Sequence, residues 1–598
     1  MKVSDYVVEF LARAGVEHVF TVSGGGIMHL TDSLGSHPRL RYVCNYHEQA
    51  SAIAAEGYAR IRGSLGACLV TTGPWSTNAL SGVAGAWVDS IPMFVISGQV
   101  RRDLMADFTK VRQLGPQEIN IDAMAPAVTK YFATVMEPTC IRAELEKAAS
   151  LATSGRPGPA WINIPLDVQG AHVDEAALPP FDGLYDEGPG GDDPCAAGRT
   201  VMDLLSRARR PVLVAGNGVR LANAHAAFMR LVDRLKIPVL GTIGGTDAIE
   251  ESHPCFAGRF GPLGQRRANF VIQNADLILA IGASMSLASV GFNTDSFAPR
   301  ATKVLVNVDP REIDKARPVP DVAVAADAGD FIDAMLALPA PDLDLDSWIR
   351  ACQEWSWRYP PVTPDQLADS PYVNSYAFAS ILSDALDENE AVLTGNSLDW
   401  WSVYQSFKVK RGQRVFTNVN FGSMGWDLPA AIGATLARGG QRTILVAGDG
   451  TLQFNIQELQ TVAHYRLPIK IFVLNNHGYA SIRASQQTHF GGRLVGADSV
   501  SGVSNPDFRK LAAAYGIRYG RADTTAAADG AIRSALLGGD PVLCEINVDP
   551  AQERTPRVMS RRREDGSMES GTLENMYPFL NPDEVSRNMQ LSREGAKT

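Results

Sequence analysis

The sequence predicts an α/β protein of three successive domains, each a doubly wound parallel sheet. Three observations predict it. At 598 residues the chain is too long for one core, since single cores rarely grow past about 250–300 residues. Short apolar, β-branched runs recur along it: "GACLVTT", "IPMFVISG", "RPVLVAGNGV", "DLILAIGA", "KVLVNVDP" and "TILVAGDG". Each enters a polar or glycine turn, as expected of buried parallel strands followed by helices. Finally, "GDGTLQFNIQELQTVAHYRLPIKIFVLNN" spells one complete βαβ unit with polar turns at both strand ends.

Taken in order, "MKVSDYVVEFLARAGVEHVF" mixes charged and apolar residues as an amphipathic helix does. It has no apolar signal-peptide core, so a cytoplasmic location is expected. Residues 1–170 form the first domain and close on "GRPGPAWINIPLDV". Residues 171–196 hold most of "PPFDGLYDEGPGGDDPCAAG", rich in Gly, Pro and Asp, and read as a linker. The second domain spans 197–345 and the third 365–550. The polar tail, 551–598, is expected to be a lid or surface extension.

Composition narrows the function. The chain is 45% hydrophobic and 20% charged with a formal net charge of −10, which gives no reason to expect nucleic-acid binding. No apolar run approaches the roughly 20 residues that cross a bilayer. The seven cysteines are scattered without a CxxC pair and read as reduced packing residues.

In the βαβ unit, Ile456, Leu459, Val462 and Ala463 share a helical face, and Pro468 stops the helix. Asp449 and Asn476 then supply hard oxygens at neighbouring strand ends, which suits Mg²⁺ or Ca²⁺. Free N–H groups at Asp449, Gly450 and Thr451 can hold phosphate. Either turn alone also reads as a plain β-turn acid or capping amide. Their joint spacing favours a diphosphate–metal site.

The other candidate groups lie in the first domain. Glu48, in "NYHEQASAIAAEGYAR", stands near a helix start in an apolar setting. It is either a first-turn acid or a buried carboxylate that exchanges a proton with a bound heterocycle. Pro74, Trp75 and Asn78 lie where the turn of "TTGPWSTN" meets a helix. "TVSGGGIMHL" carries a triple-glycine turn, including Gly25, that permits close backbone approach to a ligand.

Five motifs, "HEQASAIAAEGYAR", "TTGPWSTNALSGVAGAWVDSIPMFVISGQV", "GRPGPAWINIPLDV", "NFGSMGWDLPAAIGA" and "GDG…LNN", resemble in order and spacing those of thiamine-diphosphate enzymes. The chain is most similar to the acetohydroxyacid (acetolactate) synthase large-subunit group. The resemblance implies pyrimidine-binding, central and diphosphate-binding domains, with active sites between subunits of a homodimer or homotetramer. It implies thiamine diphosphate and Mg²⁺ as cofactors. Glu48 matches the acid that hydrogen-bonds the cofactor's aminopyrimidine, and Pro74 and Asn78 match the turn beside that ring. Asp449, Asn476 and the Gly478 carbonyl match the metal ligands. Gly450, Thr451, Asn396 and Ser397 match diphosphate contacts. Met424 matches the apolar wedge under the cofactor, and the Gly422 carbonyl a contact to the aminopyrimidine.

The chain also departs from that group. "GPGATN" is here "GPWSTN", which introduces Trp75. "FQE" is here "PQE", so Pro116 replaces a substrate-facing Phe while Gln117 and Glu118 remain. Ser485 stands where a Trp helps to select the second 2-oxo acid. His29 replaces a Pro and reads equally as a proton-transfer group or a structural histidine. "VNVDPREIDK" fits a nucleotide fold, but Ser284 and Ala288 occupy the positions of the flavin-contacting arginines. FAD is therefore expected to bind weakly or not at all. The expected reaction is decarboxylation of a 2-oxo acid, pyruvate foremost, with ligation to a carbonyl acceptor that the sequence does not name. Rival readings are simple decarboxylation, hydrolysis of a diketone C–C bond, and cofactor binding without catalysis. The presence of Glu48 and Asp449 disfavours the last.

Overall fold

The structure is a computed structural model and describes residues 1–183, 191–562 and 565–591. Part of the expected linker (184–190) and parts of the tail (563–564 and 592–598) lie outside the described residues. Three six-stranded sheets form the framework, and every neighbouring pair of strands in them is parallel.

The N-terminal sheet contains His18–Thr21, Arg41–Cys44, Gly66–Val70, Met93–Gln99, Tyr131–Thr134 and Pro159–Pro165. Numbered along the chain, these strands lie side by side in the order 2-1-3-4-6-5. The C-terminal sheet, made of Ala391–Thr394, Arg414–Phe416, Thr443–Gly448, Ile469–Asn475, Arg518–Ala522 and Val542–Asn547, has the same order. The central sheet begins at Pro211–Ala215, ends at Val322–Ala325 and runs 3-2-1-4-5-6. The outer sheets thus share a topology that the middle one lacks. Their inner strands Gly66–Val70, Met93–Gln99, Pro159–Pro165 and Ile469–Asn475 are buried along their whole length. That burial on both faces is why they read as unbroken apolar runs.

In both outer sheets the order reverses between the first and third strands, where Phe20 pairs with Cys68 and Leu393 with Leu445. Ligands of open α/β sheets bind beyond the carboxyl ends of strands at such a reversal. The triple-glycine turn follows the first strand of the N-terminal sheet, and Asp449 follows the third strand of the C-terminal one.

Helices Glu48–Arg62 and Asp427–Ala437 join the two outer domains in one core. Their backbones meet at glycines: a Cβ on Gly57 would lie 2.3 Å from the Ala430 carbonyl oxygen, and one on Gly433 1.9 Å from that of Ala54. Beside this seam the buried Glu56 accepts from Trp426 Nε1 at 2.8 Å and pairs with Arg60 at 2.7 Å. Arg60 in turn pairs with Asp89.

Two local readings differ from the structure, which also fixes the place of the tail. Helix Pro194–Arg207 starts within the segment read as a linker, because Asp193 caps it by accepting from the Cys195 N–H at 3.0 Å and Pro194 supplies its first turn. The helix expected from Phe454 onward is broken. A turn at Asp449–Leu452 and a 3₁₀ turn at Gln453–Asn455 precede helix Glu458–His464. The Asn455 side chain donates to the Gly425 carbonyl at 2.7 Å. The tail packs on the central domain: Val558 N–H donates to Pro262, Asn269 to the Leu573 carbonyl, and Trp355 Nε1 to Asn588. Among the described residues no helix is long and apolar enough to cross a membrane.

Candidate active site

Two groups of side chains gather, one on each outer sheet. On the C-terminal sheet, Asp449 is buried and its Oδ2 accepts from the Gly478 N–H at 2.9 Å and from Asn505 Nδ2 at 2.6 Å. Its Oδ1 accepts from the Gly450 N–H at 2.9 Å. Burial pushes the carboxyl up to about 6 against the pull of these donors. Asn476, also buried, lies at the end of the neighbouring strand and accepts from Arg483 through its own carbonyl at 3.0 Å. Tyr479 covers the Asp449 turn so closely that a Cβ on Gly450 would sit 2.4 Å from its ring, with the Met424 methyl 3.6 Å away. Thr451 Oγ1 accepts from the Gly425 N–H at 2.9 Å, and Asn396 Nδ2 donates to the Ser423 carbonyl at 2.7 Å. These bonds draw the loop carrying Gly422 and Met424 against the two turns. Ser397 Oγ meets Ser481 Oγ at 2.6 Å. Asn396 Oδ1 is buried without a protein partner.

On the N-terminal sheet, Glu48 opens helix Glu48–Arg62, is buried, and its Oε2 accepts from Asn78 Nδ2 at 2.9 Å. Pro74 begins the next helix, with Trp75 half-buried behind it. Gln117 has φ +65°, and its carbonyl oxygen abuts Gly73, the residue before Pro74. Pro116, Gln117 and Ser485 are exposed. Gly25 lies in the turn after the first strand, and the His29 ring on the following helix lies against Gly170. Among the described residues no hydrogen bond joins the Glu48 group to the Asp449 group. Links between the two outer domains near these groups include Asn45 and Tyr46, which both donate to Glu458 at 2.9 Å, and Trp426, which donates to Glu56 at 2.8 Å.

Sequence reasoning missed Asn505, Tyr479, Glu458 and an acid pair, Asp399 and Asp427. Each lies outside the short motifs or inside one at a position without an obvious chemical role. Both acids are buried, and Oδ2 of each has no partner. Burial raises Asp399 to about 6. Burial, and next the charge of Asp399, raises Asp427 to about 7. In the unfolded chain Asp427 returns to its ordinary value of 3.8 and ionises first, so this residue costs stability as pH rises from about 4 to about 7. Asp427→Asn keeps the Oδ1 acceptor used by Leu428 N–H and removes that cost. Its melting temperature relative to wild type is expected to climb through this window and level off above it. A difference that stays flat with pH would contradict the assignment.

The buried carboxylate, the adjacent amide and the turn between them lie at the carboxyl ends of neighbouring strands, where open α/β sheets bind ligands. Comparison with known proteins places the chain more closely. Residues 1–125, 199–335 and 394–546 match the N-terminal TPP-binding, central and C-terminal TPP-binding domains of thiamine pyrophosphate (thiamine diphosphate) enzymes. The large subunit of acetolactate synthase isozyme 2 from Escherichia coli is 33% identical, over 93% of this chain and 97% of its own length. Acetolactate synthase large subunits of Parasynechococcus marenigrum and Porphyra purpurea are 31% and 30% identical, each over 92% of this chain and over 88% and 92% of their own lengths. The chain belongs to the thiamine pyrophosphate enzyme family, in the group that holds the acetolactate synthase large subunits, and is a thiamine-diphosphate-dependent enzyme.

Proposed function

We propose that the enzyme decarboxylates a 2-oxo acid, pyruvate foremost, and ligates the acyl unit to a carbonyl acceptor. The observation that carries this reading is Glu48 buried against Asn78 in a chain 33% identical to an acetolactate synthase. Bound thiamine diphosphate supplies a thiazolium carbon that adds to the 2-oxo acid and an electron sink for the pair left by CO₂. The residues do the rest. Asp449, Asn476 and the Gly478 carbonyl hold Mg²⁺, a carboxylate, an amide and a carbonyl being the hard donors that ion takes. N–H groups of Gly450 and Thr451, with Asn396 and Ser397, seat the diphosphate. Met424 and the Gly422 carbonyl shape the space beside the rings. Glu48, held by Asn78, passes a proton to and from the aminopyrimidine, with Pro74 and Gly25 bordering that ring.

Among the described residues the Glu48 and Asp449 groups share no hydrogen bond, which supports a site completed by a second copy in a homodimer or homotetramer. A cytoplasmic location agrees with this soluble-substrate chemistry. Flavin is proposed to bind weakly or not at all. Ser284 and Ala288 bring no guanidinium to the cavity of about 1150 Å³ at the central sheet's order reversal, although Arg60, Arg156, Arg220 and Arg414 line it from other elements.

Acceptor choice falls to Trp75, Pro116 and Ser485, with Gln117 and His29 on the acceptor side, His29 giving a proton to the acceptor's oxygen. An acceptor held by apolar contacts is discriminated by only about 1–3 kcal/mol per methylene, so this exchange of aromatics redirects acceptor choice more than donor decarboxylation. The test is competition: enzyme with thiamine diphosphate, Mg²⁺ and pyruvate is offered 2-oxobutyrate against a panel of ketones and aldehydes, with products identified by mass. Ligation to an acceptor other than 2-oxobutyrate is expected, from a colourless preparation. Strong preference for 2-oxobutyrate, or a yellow protein with stoichiometric FAD, would contradict these assignments. Acetaldehyde alone would favour simple decarboxylation.

A further inference from the structure

The segment after the last strand of the C-terminal sheet is tied back to that domain at four points. The Pro550 carbonyl accepts from Arg483 at 2.9 Å. Gln552 exchanges hydrogen bonds with Ser375, at 2.9 Å to its N–H and 2.6 Å to its hydroxyl. The Thr555 N–H donates to the Tyr376 hydroxyl at 2.9 Å. These contacts aim one side chain, Arg554, inward. Its Nη1 donates to Ser481 Oγ at 2.8 Å and its guanidinium stands 5.0 Å from the centre of the Trp401 ring.

Arg554 is half-buried and, among the described residues, pairs with no carboxylate. Burial holds its pKa below the ordinary value, and the nearby Arg557, whose Nη1 donates to the Arg554 carbonyl at 3.0 Å, adds a like charge. A guanidinium withdrawn from water without an anionic partner is costly, which calls for an anion that the protein itself does not supply.

The surroundings say where that anion lies. Ser481 passes the contact on to Ser397 at 2.6 Å. Ser397 follows strand Ala391–Thr394 and Ser481 follows strand Ile469–Asn475. Strand Thr443–Gly448, which delivers the Asp449–Thr451 turn, lies between these two in the sheet. The chain Arg554–Ser481–Ser397 therefore spans the strand ends on either side of the phosphate-binding turn.

We infer that Arg554 supplies the counter-charge to the terminal phosphate of the bound diphosphate, with the hydroxyls of Ser481 and Ser397 as neutral donors beside it. The inference rests on the thiamine-diphosphate reading and adds to it a contact from the C-terminal segment. It also makes cofactor binding and the ordering of that segment one linked equilibrium. A planar guanidinium suits a phosphate better than a point charge does.

The test is calorimetric binding of thiamine diphosphate and of thiamine monophosphate, each with Mg²⁺, to wild type, Arg554→Gln and Arg554→Lys apoenzyme. A charge-assisted hydrogen bond corresponds to roughly ten- to a hundredfold in affinity. Arg554→Gln is expected to lose about that much for the diphosphate and much less for the monophosphate, and Arg554→Lys to recover part of the loss. Unchanged diphosphate affinity in Arg554→Gln with an unaltered melting curve would overturn the inference. So would an equal loss for both ligands, the sign of a merely structural role. Wild type that bound no thiamine diphosphate would instead overturn the cofactor reading beneath it.

Discussion

Glu48→Gln is expected to leave the cofactor bound while slowing exchange of its thiazolium C2 proton by about 10²–10⁴-fold, the usual worth of a positioned general acid or base. Gln keeps the shape of Glu48 and an oxygen that can still accept from Asn78, but it holds no acidic proton. Glu48 lies at the first residue of helix Glu48–Arg62 and is itself buried. Neighbouring water is therefore a poor substitute. Hydrogen–deuterium exchange at C2 of the bound cofactor reads the effect directly. Exchange as fast as in wild type would remove Glu48 from proton transfer and leave it the first-turn acid of the plainer reading.

Asp449→Ala is expected to abolish useful cofactor affinity. Removing one partner of a buried charge pair costs roughly 3–5 kcal/mol, a loss of more than about a hundredfold in binding. Here the substitution takes away the anionic ligand proposed for the metal and also the acceptor for the Gly450 and Gly478 N–H groups and for Asn505. Asp449→Asn separates the two effects, since its carbonyl can keep part of that hydrogen bonding while the charge is lost. Titration with thiamine diphosphate at fixed Mg²⁺ is expected to rank wild type far above both variants. Wild-type activity in Asp449→Ala after chelation and dialysis would mean that the metal sits elsewhere.

The architecture was legible because it is written in local patterns. Strands buried on both faces must be unbroken apolar runs, and a phosphate-binding turn needs glycine and a small polar residue in sequence. Asp449 and Asn476 are proposed from such turns at strand ends, and Glu48 from its place at a helix start in an apolar setting. Asn505 and Arg554 could not be picked out in this way. Asn505 reaches Asp449 from 56 positions away, and Arg554 reaches Ser481 from 73, so only the folded chain shows that they meet. Asp399 and Asp427 were hidden for another reason. Their motifs were read for the neighbours Asn396, Ser397 and Met424, and nothing local marks an acid that will be buried. The helical face read from the apolar spacing is largely present, with Leu459, Val462 and Ala463 in helix Glu458–His464 and Ile456 just ahead of it.

The most direct measurement is release of labelled CO₂ from carboxyl-labelled pyruvate by apoenzyme given thiamine diphosphate and Mg²⁺ singly, together, or not at all. Release that requires both, with the remaining two carbons recovered in a new C–C bonded product once a carbonyl acceptor is added, is the predicted result. A holoenzyme that releases no CO₂ from pyruvate or any other 2-oxo acid, or release that is indifferent to the cofactor and the metal, would contradict the account.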